Sequence, residues 1–189
     1  MSEHEHTPVM PDLASLEEPE LPEMEKQILV AGVGNAWLGD DGFGGHVVNR
    51  LLEMGPPPGV HVQDFGSGGL DLAYEVMRGY HAMVLVDVSQ QGGEPGDVYV
   101  IEPDPKEIKP IEDGEAISPH GMDPQTVLRF VKTVHGWPGK VVVVGCEPAD
   151  VESLALELSE PVKAAVERAA AVVLEELRKL QSDAAYEPS

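Results

Sequence analysis

The chain has 189 residues, of which 42% are hydrophobic, so it is long enough for one domain with a buried core. Its formal net charge of −22, with only 12 lysines and arginines, excludes a nucleic-acid-binding protein, because such proteins contact phosphates through clustered basic residues. No apolar run approaches the ~20 residues of a membrane span, and the N-terminus lacks the pattern of a secretion signal. We therefore expect a cytoplasmic protein without a membrane segment.

The two ends of the chain differ in composition from the part between them. Residues 1–26 contain eight acidic residues and one lysine, with several prolines and little apolar periodicity. This composition is typical of a disordered segment, so we expect an acidic tail there. The folded domain is predicted over residues 27–180, and residues 181–189 are predicted to form a frayed polar tail.

Strand and helix patterns alternate along the domain. Short runs rich in Val, Leu and Ile predict strands at Ile28–Val33, Val60–Gln63, Ala82–Val86, Val98–Ile101 and Val141–Gly145. Apolar residues at helical spacing predict helices at Gly45–Met54, Leu70–Met77, Pro124–Val134 and from Ser159 to Leu180. This order predicts one α/β domain with a twisted, mostly parallel five-stranded sheet and helices on both faces.

Local signals refine that prediction. The turn before Val98–Ile101 is too short for a crossover helix, so this strand is predicted to be antiparallel and at the edge of the sheet. The proline-rich segment Glu102–Ser118 has no periodicity and is predicted to be a long loop, a feature that is often functional. Asp123 and Ser159 are predicted to cap the third and fourth helices, each followed by a proline in the first turn.

A glycine turn follows the first strand and leads into two adjacent carboxylates. The turn begins Gly32-Val-Gly, as in a dinucleotide-binding loop, but Trp37 stands where such a loop needs its third glycine. Asp40 and Asp41 are anionic at neutral pH and would repel a phosphate. The turn therefore predicts a site for a cation.

Carboxylates also follow the second and third strands, where ligands bind in open α/β sheets. Asp64 is equally compatible with organising its glycine-rich turn and with contacting a ligand. Asp87 ends a fully apolar strand, and a functional role is favoured for it. Of the acidic pair, Asp41 is predicted to be a ligand, and Asp40 is predicted to cap or orient the helix that follows.

One histidine stands apart from the other six. His120 lies between the long loop and a helix start, where rigid neighbours can orient an imidazole. With Asp41 and Asp87 it would form a set of two carboxylates and one imidazole, which suits a divalent transition metal such as nickel or zinc. The other histidines are predicted to lie in the acidic tail or to be surface or packing residues: His4, His6, His46, His61, His81 and His135. The single cysteine, Cys146, is predicted to be a small buried hydrophobe.

Taken together, the motifs resemble the hydrogenase maturation proteases from about Gln27 to Leu180. The motifs that match in order and spacing are Gly32–Gly44, Asp64–Gly69, Val84–Asp87, Pro95–Asp97, Ser118–His120 and Gly145–Pro148. Glu152–Ser159 departs from the glycine-containing sequence that is more usual in the family before the last helix, which bears on substrate fit.

The resemblance implies an endopeptidase that removes a C-terminal peptide from the precursor of a nickel-iron hydrogenase large subunit after nickel insertion. It implies that Asp41, Asp87 and His120 contact the metal and carry the catalysis. Nickel is expected to be supplied by the precursor, and zinc or another divalent metal is possible in isolation. The bond could be broken through a metal-polarised carbonyl or an activated water, with Asp41 as a candidate base.

Two other functions compete with this interpretation. A phosphoacceptor receiver domain needs its acids directly at the strand end and a lysine after the last strand. Here the turn Gly34–Asp40 intervenes, and the last strand ends in Gly145-Cys-Glu-Pro, so a receiver domain is disfavoured. A noncatalytic nickel-sensing or precursor-binding chaperone that uses the same three ligands is compatible with the sequence.

Overall fold

The apolar runs of the sequence form five strands of one sheet in the computed structural model, which describes residues 27–112, 115 and 124–183. The strands are β1 (Ile28–Gly32), β2 (Val60–Asp64), β3 (Ala82–Val88), β4 (Val98–Ile101) and β5 (Lys140–Cys146). The helices are α1 (Phe43–Met54), α2 (Gly69–Val76), α3 (Pro124–Thr133) and α4 (Glu160–Gln181), and a 3-10 helix (Gly39–Gly42) directly precedes α1. Every predicted element is present, with its ends shifted by only one or two residues.

Some predictions fall on residues outside the described part of the chain. These include the acidic tail 1–26, residues 184–189, and the predicted cap Asp123. Of the predicted C-terminal tail, Gln181 belongs to α4. Within residues 102–112 and at residue 115, the predicted long loop contains no helix or strand. Among the helices of the described ranges, none combines the length and apolar character of a membrane-spanning segment.

The sheet has the strand order β2-β1-β3-β5-β4. Neighbouring strands are parallel, except that β4 pairs with β5 in the antiparallel direction. This confirms the predicted mixed sheet with one antiparallel edge strand. Because four strands run the same way, their carboxyl ends meet along one edge, where Asp41 and Asp87 lie.

Alternating side chains of the buried strands pack into two apolar layers. On one face, Ile28 and Val30 of β1 pack in a cluster with residues of α1 and α4. On the other face, Leu29 and Ala31 pack with residues of α2 and α3. The period-2 alternation of strand side chains explains why a continuous apolar run such as β1 is buried on both faces.

Close contact between α1 and the sheet positions the turn that carries the acidic pair. A Cβ atom at Gly44 would lie 2.4 Å from the carbonyl oxygen of Val33 and 2.5 Å from that of Val86. Only glycine allows this approach, so α1 begins directly over the carboxyl ends of β1 and β3. The preceding 3-10 helix is therefore held at the same edge of the sheet.

Candidate functional site

Asp41 and Asp87 both approach Gly34. Asp41 lies in the 3-10 helix after β1, and Asp87 lies near the end of the neighbouring strand β3. A Cβ atom at Gly34 would be 1.9 Å from the backbone oxygen of Asp41 and 3.5 Å from Oδ1 of Asp87, and the φ of Gly34 is +124°. The structure therefore places the backbone of Asp41 and the carboxylate of Asp87 beside Gly34, and this close approach requires glycine at the position.

The Asp41 carboxylate is half-buried and is held by the glycine turn. The backbone N–H of Asn35 donates a hydrogen bond of 2.8 Å to Oδ2 of Asp41. The side chain of Asn35 in turn accepts a hydrogen bond from the backbone N–H of Trp37. Burial raises the pKa of Asp41, and the hydrogen bond from Asn35 opposes that rise. A carboxylate with a raised pKa in a cleft is a candidate functional group.

Asp87 is fully buried at the end of β3. The backbone N–H of Val88 donates a 2.7 Å hydrogen bond to its Oδ1 atom. In the sheet Asp87 is paired with Gly145 of β5, which has no side chain, and a Cβ at Gly145 would lie 2.6 Å from Cβ of Ser89. Such burial of a carboxylate is costly unless charged or polar partners compensate for it.

A cavity of about 540 Å³ opens beside Asp41 at this edge of the sheet. Among the described residues that line it, Asp41 is the only ionisable one. The polar lining residues are Ser89, Gln90, Gln91 and Gln125, and the apolar ones are Leu38, Val88, Ile101, Pro103, Ile108, Pro124, Leu128, Val143 and Val151. Asp41 also faces a second, much smaller cavity next to Gly66 and Ser67. The combination of apolar walls with a few polar groups is typical of a ligand site.

Asp40 has a different role from the one that the sequence suggested. Its buried carboxylate accepts hydrogen bonds from the backbone N–H groups of Ala149, Asp150 and Ser159 and from the hydroxyl of Ser159, at 2.7 to 3.0 Å. Neither the 3-10 helix nor α1 has a side-chain cap. The prediction that Asp40 caps the following helix is therefore wrong, because its partners lie in the loop between β5 and α4.

The same contacts correct the prediction for Ser159. Ser159 occupies the N-cap position of α4, but its side chain makes no capping hydrogen bond. Its hydroxyl donates to Oδ2 of Asp40 instead. Ser159 thus connects α4 to the 3-10 helix, and the loop is further fixed by backbone bonds around a parallel bridge between Leu38 and Ala155.

The remaining carboxylate after a strand, Asp64, organises its turn. The backbone N–H of Gly66 donates a 2.9 Å hydrogen bond to Oδ1 of Asp64. A Cβ at Gly45 would lie 2.7 Å from Oδ2 of Asp64, so this exposed carboxylate is close to the first turn of α1. A negative charge is favourable there because of the positive end of the helix dipole.

His120, the third predicted ligand, lies outside the described residues. Within residues 27–112, 115 and 124–183, no three His, Cys, Asp or Glu side chains are grouped as a metal site. Two of the other histidines, His46 and His135, are exposed, and His61 contacts the hydroxyl of Tyr80 at 2.6 Å. The metal assignment therefore stays a prediction, and two of its three residues approach Gly34.

Two residues of the β5 end differ in environment. Cys146 belongs to the buried core, and burial raises the pKa of its thiol to about 11, which argues against a thiolate nucleophile. The next residue, Glu147, received no role in the sequence analysis. Its carboxylate accepts hydrogen bonds from the backbone of Gln91 at 2.8 Å and from the hydroxyl of Tyr99 at 2.9 Å. Glu147 therefore fixes the turn whose residues line the cavity.

The fold and the site geometry define an α/β protein with two acidic residues, Asp41 and Asp87, at the carboxyl edge of its sheet. Residues 45–176 match the model of the hydrogenase maturation protease family, HycI. The chain belongs to the hydrogenase maturation protease family. The matched range contains Asp87 and the position of His120, and it begins four residues after Asp41.

Individual relatives agree with this assignment. MJ0253 of Methanocaldococcus jannaschii, provisionally assigned as a hydrogenase maturation protease, is 34% identical over 161 residues, which are 82% of this chain and 99% of that protein. The structure is similar to that of a hydrogenase 2 maturation peptidase from Thaumarchaeota archaeon SCGC_AB-539-E09, with a TM-score of 0.61, 32% identity, and coverage of 81% of this chain and 99% of that one. It is also similar to the hydrogenase maturating endopeptidase HybD of E. coli, with a TM-score of 0.65, 26% identity, and coverage of 81% and 93%.

Proposed function

We propose that this chain is an endopeptidase that removes a C-terminal peptide from the nickel-loaded precursor of a nickel-iron hydrogenase large subunit. Membership of the maturation protease family supports the reaction class. The observation that carries the proposal is the approach of both Asp41 and Asp87 to Gly34, with Asp41 lining a cavity that has apolar walls. Carboxylate oxygens are ligands for divalent metal ions, and the cavity has room for a peptide segment.

The nickel ion arrives with the substrate in this proposal. Asp41 and Asp87 offer hard carboxylate oxygens, and His120 would add an imidazole, a mixed ligand set that suits nickel or zinc. With only three ligands from the protease, coordination positions are left for groups of the precursor. Binding then depends on prior nickel insertion, because the nickel ion would supply the contacts between the three predicted ligands and the precursor.

Within the site, the two carboxylates are assigned different tasks. Asp87 is fully buried and fixed at a strand end, so it would orient the metal. Asp41 is half-buried and faces the cavity, and its raised pKa makes it the better candidate for accepting a proton from the attacking water. Polar side chains of the cavity, such as Gln90 and Gln125, would pair with the backbone of the peptide.

The test is a processing assay with the purified protein and nickel-loaded precursor from the same genome. Mass spectrometry should show loss of a C-terminal peptide from nickel-loaded precursor and none from precursor prepared without nickel. If the precursor is bound but stays full length, the protease assignment is overturned, and a noncatalytic chaperone function is favoured.

His120→Ala tests the third predicted ligand in the same assay. Loss of a metal ligand should reduce processing about 100-fold or more with little change in the thermal midpoint. The matched control is His46→Ala, which removes an exposed imidazole on α1 and should leave processing unchanged. Normal processing by the His120→Ala variant would contradict the assignment of His120 as a ligand.

A further inference from the structure

Three large apolar side chains are exposed around the parallel bridge between Leu38 and Ala155. Trp37 is 66% exposed, Leu154 86% and Leu156 66%. All three lie within one residue of the bridge, whose backbone bonds run from Ala155 N to Trp37 O at 3.1 Å and from Gly39 N to Ala155 O at 2.8 Å. Exposed apolar groups that are clustered in this way mark interaction surfaces, whereas scattered ones need no explanation.

The loop between β5 and α4, which carries Leu154 and Leu156, is held in place by hydrogen bonds within this chain. Asp40 accepts three backbone hydrogen bonds and one hydroxyl hydrogen bond from this loop. Asp150 adds a second set, because its Oδ1 accepts from the backbone N–H groups of Glu152 and Ser153. A loop fixed in this way loses little conformational entropy on binding, which favours its use as a docking element.

The surface is continuous with the proposed catalytic edge. Leu38, at the bridge, and Val151, in the same loop, both line the cavity that Asp41 faces. A protein whose peptide enters the cavity would therefore extend over Trp37 and the two leucines. The occupant that fits this position is the protein that carries the peptide.

Acidic residues surround the apolar group and indicate the chemistry of the partner. Asp150, Glu152 and Glu157 are exposed in the loop. No lysine or arginine occurs between Lys140 and Lys163. A complementary partner surface would present apolar side chains among lysines and arginines.

We propose that Trp37, Leu154 and Leu156 form a docking surface for the folded body of the precursor, outside the peptide that is removed. This inference rests on the proposed function for the identity of the partner. The surface determines how tightly the precursor binds, and Asp41 and Asp87 act on the bond that is broken. A tryptophan at the centre of an interface commonly contributes a large share of the binding energy.

The experiment measures binding and processing of the nickel-loaded precursor by the full chain and by two variants, Trp37→Ser and the double variant Leu154→Ser/Leu156→Ser. Each should raise Kd and KM about 10-fold or more, equivalent to about 1.4 kcal/mol, with kcat within about 2-fold of the original value. Because the three side chains are exposed, the variants should keep the thermal midpoint of the unmodified protein.

Tyr74→Ser is the matched control, because Tyr74 is an aromatic residue of α2 with the same exposure, 68%. It should leave Kd and KM unchanged. A charge control follows the same design: Glu152→Lys/Glu157→Lys should weaken binding, whereas Glu53→Lys at the far end of α1 should not.

The outcomes separate this inference from the proposed function. If the precursor binds but is never shortened, the protease assignment fails, and the Kd values of the variants still decide the docking surface. Equal Kd values for the unmodified protein, Trp37→Ser and the double variant would overturn the docking surface even if processing is normal. Absence of measurable binding to the unmodified protein would also overturn it.

Discussion

Asp40 and Asp41 are neighbours in one 3-10 helix, and their carboxylates lie in opposite environments. Asp40 is buried against the loop between β5 and α4 and accepts four hydrogen bonds from it. Asp41 lines the cavity, and the backbone N–H of Asn35 donates a hydrogen bond to its carboxylate. Asp41 has a raised pKa, whereas the surroundings of Asp40 supply donors to both of its oxygens.

The difference shows how adjacent residues of the same type can have separate tasks. A carboxylate whose oxygens are occupied by backbone donors stabilises a loop but has little capacity left for a ligand. Burial makes the charged form of a carboxylate less stable, so a nearby cation or a bound proton stabilises it most. In the turn after β1, Asp40 therefore stabilises the structure, and Asp41 has the proposed chemical role.

Asp41→Asn is expected to produce the largest effect on activity. Removing the charge should lower processing of nickel-loaded precursor about 100-fold or more, as for a lost general base or metal ligand. The thermal midpoint should not fall, because burial raises the pKa of Asp41 and its charge does not stabilise the fold. Processing is measured by mass spectrometry and the midpoint by circular dichroism.

Two further variants serve as controls for Asp41→Asn. Asp41→Glu keeps the carboxylate and should retain processing within about 10-fold of the original rate. Asp64→Asn changes a carboxylate that organises a turn, and asparagine supports the same turn, so processing should be unchanged. Full activity of Asp41→Asn would contradict the proposed functional role of Asp41.

Asp40→Ala should have its main effect on stability. Four donors lose their acceptor, so the free energy of unfolding should fall by about 3 kcal/mol. Urea unfolding of Asp40→Ala and Asp41→Ala in parallel measures the difference. Equal losses in the two variants would contradict separate roles for the two residues.

Glu147→Gln extends the comparison to a second carboxylate that backbone donors occupy. The hydrogen bond from the backbone of Gln91 contributes most to lowering the pKa of Glu147. An acid with a lowered pKa stabilises the fold above its unfolded-state pKa and loses that contribution as the pH falls through its folded-state pKa. We expect the thermal midpoint of the variant to be modestly lower than that of the unmodified protein at neutral pH, and this difference should disappear at acidic pH. A difference in thermal midpoint that does not change with pH would refute the role of the charge.

The fold could be predicted from the sequence because its signals are local. The runs that became β1, β3 and β5 are apolar throughout, and the short turn before β4 allowed only an antiparallel strand. Helix ends could be placed within two residues because glycines and prolines lie beside them. The family resemblance rested on motifs at these same strand ends, and the family match supports it.

The site was predictable only in part, because roles depend on partners far away in the chain. Nothing near Asp40 indicates that Ala149 and Ser159, more than 100 residues later, would donate to it. Glu147 was overlooked for the same reason, since its partner Gln91 lies 56 residues earlier. Asp41 and Asp87 were selected as candidates because both lie at the carboxyl ends of parallel strands, which topology alone brings to one edge.

The space around Gly34 limits how this protease could be redesigned. Its positive φ and its contact with the backbone of Asp41 exclude every larger residue. Directed evolution therefore has no freedom at Gly34, which lies beside the two proposed site residues Asp41 and Asp87. Libraries that randomise Trp37 and the exposed positions of residues 152–157 while keeping Gly34 should yield altered precursor preference with the cleavage step intact.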